Sequence, residues 1–174
     1  MKENKKVLVA YFSRGGENYS VGNITKGNTQ IIAEMIARET GGSMFQIEPL
    51  TPYPDNYDAC VELARKELHD KARPEVKGDA KVEDYDVIFV GYPNWCSDIP
   101  MPIYTFLEKH SWNGKSIAAF CTHEGSGIGS TANKLQKACK GATLLKSIAI
   151  YGHTAQNNPE EARRTVFSWL KSLQ

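Results

Sequence analysis

The sequence has little net charge, few cysteines and no long apolar run, and each shortage removes a class of function. Twenty-one lysines and arginines meet 20 aspartates and glutamates in 174 residues, so no whole-molecule field draws the chain to nucleic acid, an anionic membrane or an acidic partner. The four cysteines, Cys60, Cys96, Cys121 and Cys139, form no CxxC or zinc-ligand spacing, and the N-terminal residues lead straight into a short strand; this reads as a protein of the reducing cytoplasm. No apolar run nears the roughly 18 residues of a membrane helix. HExxH, GxSxG and GxxxxGK[ST] are absent, which leaves a metal site, a hydrolase elbow and a nucleotide P-loop without support. There is no repeat or low-complexity segment. The length and the 41% hydrophobic content suit one domain, residues 1–174, with a single core.

What is present is an alternation of strands and helices. Val7–Phe12 is a continuous apolar run of strand length, as expected when helices cover both faces of a sheet. Ile32, Met35 and Ile36 follow at helical spacing, with Gly41-Gly42 as the stop. Met44–Glu48 alternates like a more exposed strand, and Pro49, Pro52 and Pro54 then exclude regular structure. Tyr57 to about Asp70 predicts a helix with Val61, Ala64 and Leu68 on one face. Asp86–Gly91 is a second buried strand, and Ile103, Phe106 and Leu107 mark a helix. A strand over 116–121, a helix over 131–139 and a strand over 144–150 follow. Asn158 as cap, Pro159 at the first helical position and Glu161 three residues past the cap open the last helix. Five strands alternating with five helices predict an α/β fold with a parallel sheet and right-handed crossovers.

In such a sheet, ligands bind beyond the carboxyl ends of the strands. Three ends carry chemistry. The first has Ser13 and, at the helix start, Gly27-Asn28-Thr29; the third has YPNWCSD from Tyr92 to Asp98; the fourth has THEGSGIGST from Thr122 to Thr131. A phosphate wants backbone N–H groups, small polar side chains and the positive end of a helix dipole, and Gly27-Asn28-Thr29 offers all three. The rival turn, Ser13–Asn18, would bring the Glu17 carboxylate against the phosphate. Gly15–Lys26 therefore reads as an inserted loop between the strand tip and the helix. His123 and His153 follow the fourth and fifth strands and are candidates for a proton-donor role.

Taken in order, YFS with GNT, then GYPNWCSDIPMP, then THEGSGIGS resemble the three cofactor loops of the flavodoxin-like family of FMN-binding proteins, and the resemblance covers essentially the whole chain. It implies a flavodoxin-like three-layer sandwich with a five-stranded parallel sheet of order 2-1-3-4-5 and helices on both faces. It also implies FMN as cofactor. Ser13, Asn28 and Thr29 would hold the phosphate with the Gly27 backbone close by, and Arg14 and Lys26 would add charge. Pro93, Asn94, Trp95 and Cys96 would border the ring, Trp95 stacking on it. Thr122, Glu124 and Gly125 would lie on its pyrimidine or ribityl side. Three departures accompany the resemblance. The Gly15–Lys26 insertion is unusual for a family with a compact phosphate loop, and His123 and Glu124 stand where many flavodoxins carry a second aromatic. The near-neutral charge also differs from the acidic surface of typical flavodoxins. Two redox functions stay open: an electron carrier for an unidentified protein partner, or an NAD(P)H-dependent reductase of quinones or other small acceptors. The alternative from another class is a phosphate-sensing or receiver-like binding module without flavin. A receiver needs an acidic cluster and a phosphoacceptor aspartate at strand ends that here hold Ser13 and Tyr92-Pro93.

Overall fold

The computed structural model describes residues 4–174. Its first strand, β1 (Val7–Tyr11), is buried at every position. Because side chains alternate across a strand, Val7, Val9 and Tyr11 enter one core layer while Leu8, Ala10 and the following Phe12 enter the other. The same division runs through β5 (Val87–Pro93) and β6 (Ser116–His123). Full burial of each large apolar side chain in these strands contributes about 1.5–3 kcal/mol, which is why the apolar runs form the centre of the sheet.

Between β1 and helix α1 (Asn28–Thr40) lies a separate hairpin, β2 (Gly16–Asn18) and β3 (Gly22–Ile24). The main sheet continues with β4 (Ser43–Gln46), parallel to β1. Helix α2 (Tyr57–Asp70) opens at Asn56, whose side chain accepts the Ala59 N–H at 2.9 Å. After β5 come α3 (Met101–Leu107), β6, α4 (Thr131–Ala138), β7 (Thr143–Leu144), β8 (Ile148–Tyr151), α5 (Gly152–Asn157) and α6 (Pro159–Lys171). Every pairing in the main sheet is parallel, in the order β4-β1-β5-β6-β7 with β8 also on β6. This is the expected 2-1-3-4-5 order. Helices α1, α5 and α6 cover one face. Residues of α3 and α4 cover the other, and α2 lies beside α3.

The single strand expected over 144–150 is instead two. Thr143-Leu144 pairs with the start of β6 and Ile148–Tyr151 with its end. Between them the Ser147 hydroxyl takes the Ala119 N–H at 3.0 Å, so a side chain replaces the backbone acceptor and the ladder breaks. The inserted Gly15–Lys26 segment is likewise an ordered hairpin and not an irregular loop. A short helix, α5, precedes the α6 cap, where the Asn158 side chain accepts the Glu161 N–H at 3.4 Å and donates to the Glu161 carboxylate at 2.8 Å, whereas the Asn158 backbone N–H, which the usual capping box would give to Glu161, goes to Thr154 O.

Candidate functional site at the strand ends

Ser13 is the second residue beyond β1, and Gly27 stands directly against it. A Cβ on Gly27 would collide with Ser13 Oγ and fall 2.6 Å from Arg14 O and 2.9 Å from Arg14 N. Only glycine permits this approach. Having no side chain, Gly27 cannot cap α1, and Ser13 does so from a distance by accepting the Gln30 N–H at 3.1 Å. The amides of Asn28 and Thr29, first in the helix, have no intrahelical acceptor and meet the positive end of its dipole. Asn28 is oriented by Gln156, which donates to its Oδ1 at 2.8 Å and to Lys26 O at 2.7 Å. Thr29 is buried, with its hydroxyl 2.7 Å from that of Thr122. Its side chain thus ties α1 to β6. Lys26 Nζ pairs with Glu34 at 2.8 Å.

Arg14 holds the hairpin. Its guanidinium donates to Glu17 O at 2.7 Å, Pro54 O at 2.8 Å and Asp55 O at 3.0 Å. The Glu17 N–H returns a bond to Asp55 O. These bonds fasten β2 to the turn before α2, and the Tyr19 and Tyr57 rings lie 6.0 Å apart across the join. Arg14, expected from its place next to a strand tip to add charge at the phosphate, makes its hydrogen bonds to backbone carbonyls, one three residues away and two some forty residues away in the chain.

The second loop turns tightly. Trp95 and Asp98 exchange backbone hydrogen bonds at 3.1 and 3.0 Å, leaving Cys96 (φ 54) and Ser97 (φ 63) in the left-handed region, an unusual conformation for residues with side chains. The loop is pinned on both sides. Asp98, almost wholly buried, accepts from the Ile99 N–H, the Tyr104 hydroxyl and Lys134. Asn94 takes the Ser97 N–H and donates to Gly127 O at 2.8 Å, joining this loop to the third. Trp95 meets Phe12 and Tyr53 edge-on, with centroids 5.0 and 4.8 Å away. Tyr53 donates in turn to Glu67 at 2.5 Å. Burial is the main reason the Glu67 carboxyl is pushed above its ordinary range, and burial with this bond raises Tyr53 strongly. Cys121, beneath the loop, is pushed up to about 12 by burial and is an inert packing thiol. Cys96 is exposed.

In the third loop, Gly125 (φ 123) and Gly127 (φ 66) wrap the backbone around His123. Glu124 turns away from the loop to α5, accepting the His153 N–H at 2.7 Å and lying 2.6 Å from His153 Nδ1. Gly152 leaves room for this, since a Cβ there would crowd the Asn28 side-chain nitrogen and Glu124 Oε1.

These loops border one cavity of about 360 Å³, within the range of small-ligand sites. Of the residues singled out from the sequence, Arg14, Asn28, Pro93, Asn94, Trp95, Cys96, Thr122 and Glu124 line it. Ser13, Gly27 and Thr29 form the packed helix start beside Asn28, and Gly125 belongs to the loop around His123. The opposite wall was not legible from motifs. It consists of Asn18 and Tyr19 from the hairpin with Tyr57, Cys60, Val61, Ala64 and Arg65 from α2. Tyr57, Cys60, Val61 and Ala64 follow helical spacing and read as core; only the hairpin's position turns that face into a cavity wall. Burial raises both the Tyr57 and Cys60 pKa values. Among the described residues, no three His, Cys, Asp or Glu side chains gather as a metal-ligand group. No helix there is long and apolar enough to cross a membrane.

Comparison with known proteins gives a consistent relationship. A family model described as flavodoxin matches residues 6–165. A candidate flavoprotein from Bacteroides eggerthii has a similar crystal structure, with 30% identity, TM-score 0.77 and 98% of each chain covered. One from Bacteroides uniformis has 26% identity and TM-score 0.75, covering 97% of this chain and 99% of the other. A flavoprotein from Lactobacillus acidophilus solved in complex with FMN shares the fold at 18% identity and TM-score 0.65, covering 88% of this chain and 97% of that one. No curated protein sequence matches.

Proposed function

Because the chain belongs to the flavodoxin family, we propose that it binds FMN and acts in electron transfer, as a reductase of small acceptors. The observation that carries the reading is the helix start at Gly27, a turn packed so closely on Ser13 and Arg14 that no Cβ fits, with Asn28 at the edge of a cavity bordered by the other two loops. The fit is chemical as well as spatial. The Asn28 and Thr29 amides and the Asn28 side chain are suited to a phosphate, with Ser13 fixing the turn that presents them. Pro93, Asn94, Trp95 and Cys96 would take one part of the ring, and Thr122, Glu124 and Gly125 the pyrimidine or ribityl side. When bound, the flavin supplies the redox chemistry. The protein's residues orient it, shield it from water and limit what reaches it.

The enclosing wall favours an enzyme over a carrier. The hairpin and α2 line the cavity, so a small molecule is a better fit than a broad protein surface, and the formal charge of +1 lacks the net acidity that draws basic redox partners. The reductant in this reading is a nicotinamide, NADH or NADPH, and the acceptor a quinone or similar compound. All four cysteines are free, which agrees with work in a reducing cytoplasm. The test is the visible spectrum of the purified protein during FMN titration, followed by anaerobic addition of NADH and NADPH. Stoichiometric FMN uptake and bleaching by one nicotinamide are expected. FMN uptake without bleaching would return the protein to a carrier role, and no uptake would defeat the cofactor reading.

A further inference from the structure

His123 is held in one tautomer by the loop it anchors. Its Nδ1 receives two backbone N–H bonds, from Gly125 at 2.9 Å and Gly127 at 3.0 Å. Two donors on one nitrogen require a lone pair there, so the imidazole proton resides on Nε2. That nitrogen has no hydrogen-bond partner among the described residues, yet no side-chain N or O atom is buried without a partner. Nε2–H is therefore open to solvent or to a ligand, and His123 lines the cavity. We propose that His123 is a fixed neutral hydrogen-bond donor in this site, its Nε2–H serving an acceptor atom on the flavin ring system and not the phosphate. The ligand half of this proposal rests on the FMN reading; the tautomer does not.

A second proton would have to enter at Nδ1 and displace both glycine amides, unwinding the loop that shapes the cavity. The charged and titratable neighbours do not reverse that. Tyr151 lies against the ring at 4.4 Å, and its own ring then meets His153 at 4.9 Å. Glu124 favours protonation of His123, but its carboxylate is engaged by His153, whose imidazole disfavours it. Arg65 and Tyr57 stand on the facing wall. Burial outweighs Glu124, and the His123 pKa falls below its ordinary value. The site therefore keeps a neutral donor where a titrating histidine would alternate between donor and cation.

Nitrogen-15 NMR of histidine-labelled full-length protein tests this directly, in the apo form and with FMN, from pH 8 to pH 5. His123 is expected to show an unprotonated Nδ1 and a protonated Nε2, to stay neutral at pH values just below the ordinary histidine value of about 6.5, and to shift at Nε2–H when FMN binds. His123→Ala is expected to weaken FMN and riboflavin by the same roughly two- to tenfold factor, the effect of one neutral hydrogen bond. An Nδ1–H tautomer, titration at or above the ordinary histidine value of about 6.5, or an unchanged Nε2–H in the FMN complex would overturn the proposal. Absence of any FMN binding would instead overturn the cofactor reading, and the apo tautomer would then decide whether His123 is a fixed donor at all.

Discussion

Between β1 and α1 the chain makes two structures, and they are held by opposite means. The turn at Gly27–Thr29 is fixed by close packing: backbone against Ser13 and Arg14, and a buried hydroxyl pair between Thr29 and Thr122. The hairpin of Gly15–Lys26 is fixed by reach, through one guanidinium bonded to three carbonyls. The first arrangement leaves backbone N–H groups without intrahelical acceptors at a helix terminus and tolerates no Cβ at Gly27. The second builds a wall and can give way without disturbing the cradle. Glycine-rich sequence alone does not distinguish them; what distinguishes them is whether the backbone or a side chain makes the decisive bonds.

The largest effect should follow from breaking the packed turn. Gly27→Ala places a methyl group into Ser13 and the Arg14 backbone, an overpacking that costs about 1–3 kcal/mol, and the displaced amides should weaken FMN at least tenfold. Thermal melting and FMN titration read the two consequences separately. Next comes Arg14→Ala. Losing charge-assisted bonds of roughly 1.5–3 kcal/mol each, discounted for partial exposure, should speed amide exchange in Gly16–Ile24 by tenfold or more while Asn28–Ile31 keeps its protection. Equal acceleration of both segments would erase the distinction between them.

Asn28 and Thr29 sharpen the comparison inside the turn itself. Asn28→Ala should weaken FMN by several-fold with little change in stability, since its side chain faces the cavity. Thr29→Val should do the reverse, costing about 1 kcal/mol of stability through the unpartnered Thr122 hydroxyl and leaving FMN affinity nearly unchanged. Equal loss of affinity in both would mean that the Thr29 hydroxyl leaves Thr122 for the phosphate. A smaller effect concerns pH. The folded-state pKa of His123 lies below its unfolded value of about 6.5, so the unfolded chain binds more protons between the two values. The contribution of His123 to stability is present above about pH 6.5 and is lost as pH falls through the folded pKa. Stability curves of wild type and His123→Gln should converge toward acid. The smallest effect belongs to Glu17→Gln, on the hairpin and exposed, which should alter neither affinity nor stability.

The sheet was legible because its signals are local. β1 and β5 are apolar runs buried on both faces, and the Asn158-Pro159-Glu161 start of α6 is a short-range hydrogen-bond pattern. The split between β7 and β8 was not, because it depends on the Ser147 hydroxyl reaching Ala119 across the sheet. The loops that border the cavity could be located as strand ends, whereas its second wall could not. Tyr57, Cys60 and Val61 have the periodicity of a core face, and the long-range bonds of Arg14 and of the Glu17 N–H to Pro54 and Asp55 bring the hairpin over them. Thr29 was legible as a helix-start residue but not as the partner of Thr122, ninety-three positions away. Long-range side-chain bonds leave no periodic mark.

The Gly27–Thr29 turn is proposed to recognise a phosphate at the start of α1, and titrating the apo protein in parallel with FMN and with riboflavin, which shares the ring and lacks the phosphate, decides it. Tenfold or greater preference for FMN, lost in Gly27→Ala but kept in Arg14→Ala, is the predicted result; equal affinity for the two flavins would contradict it.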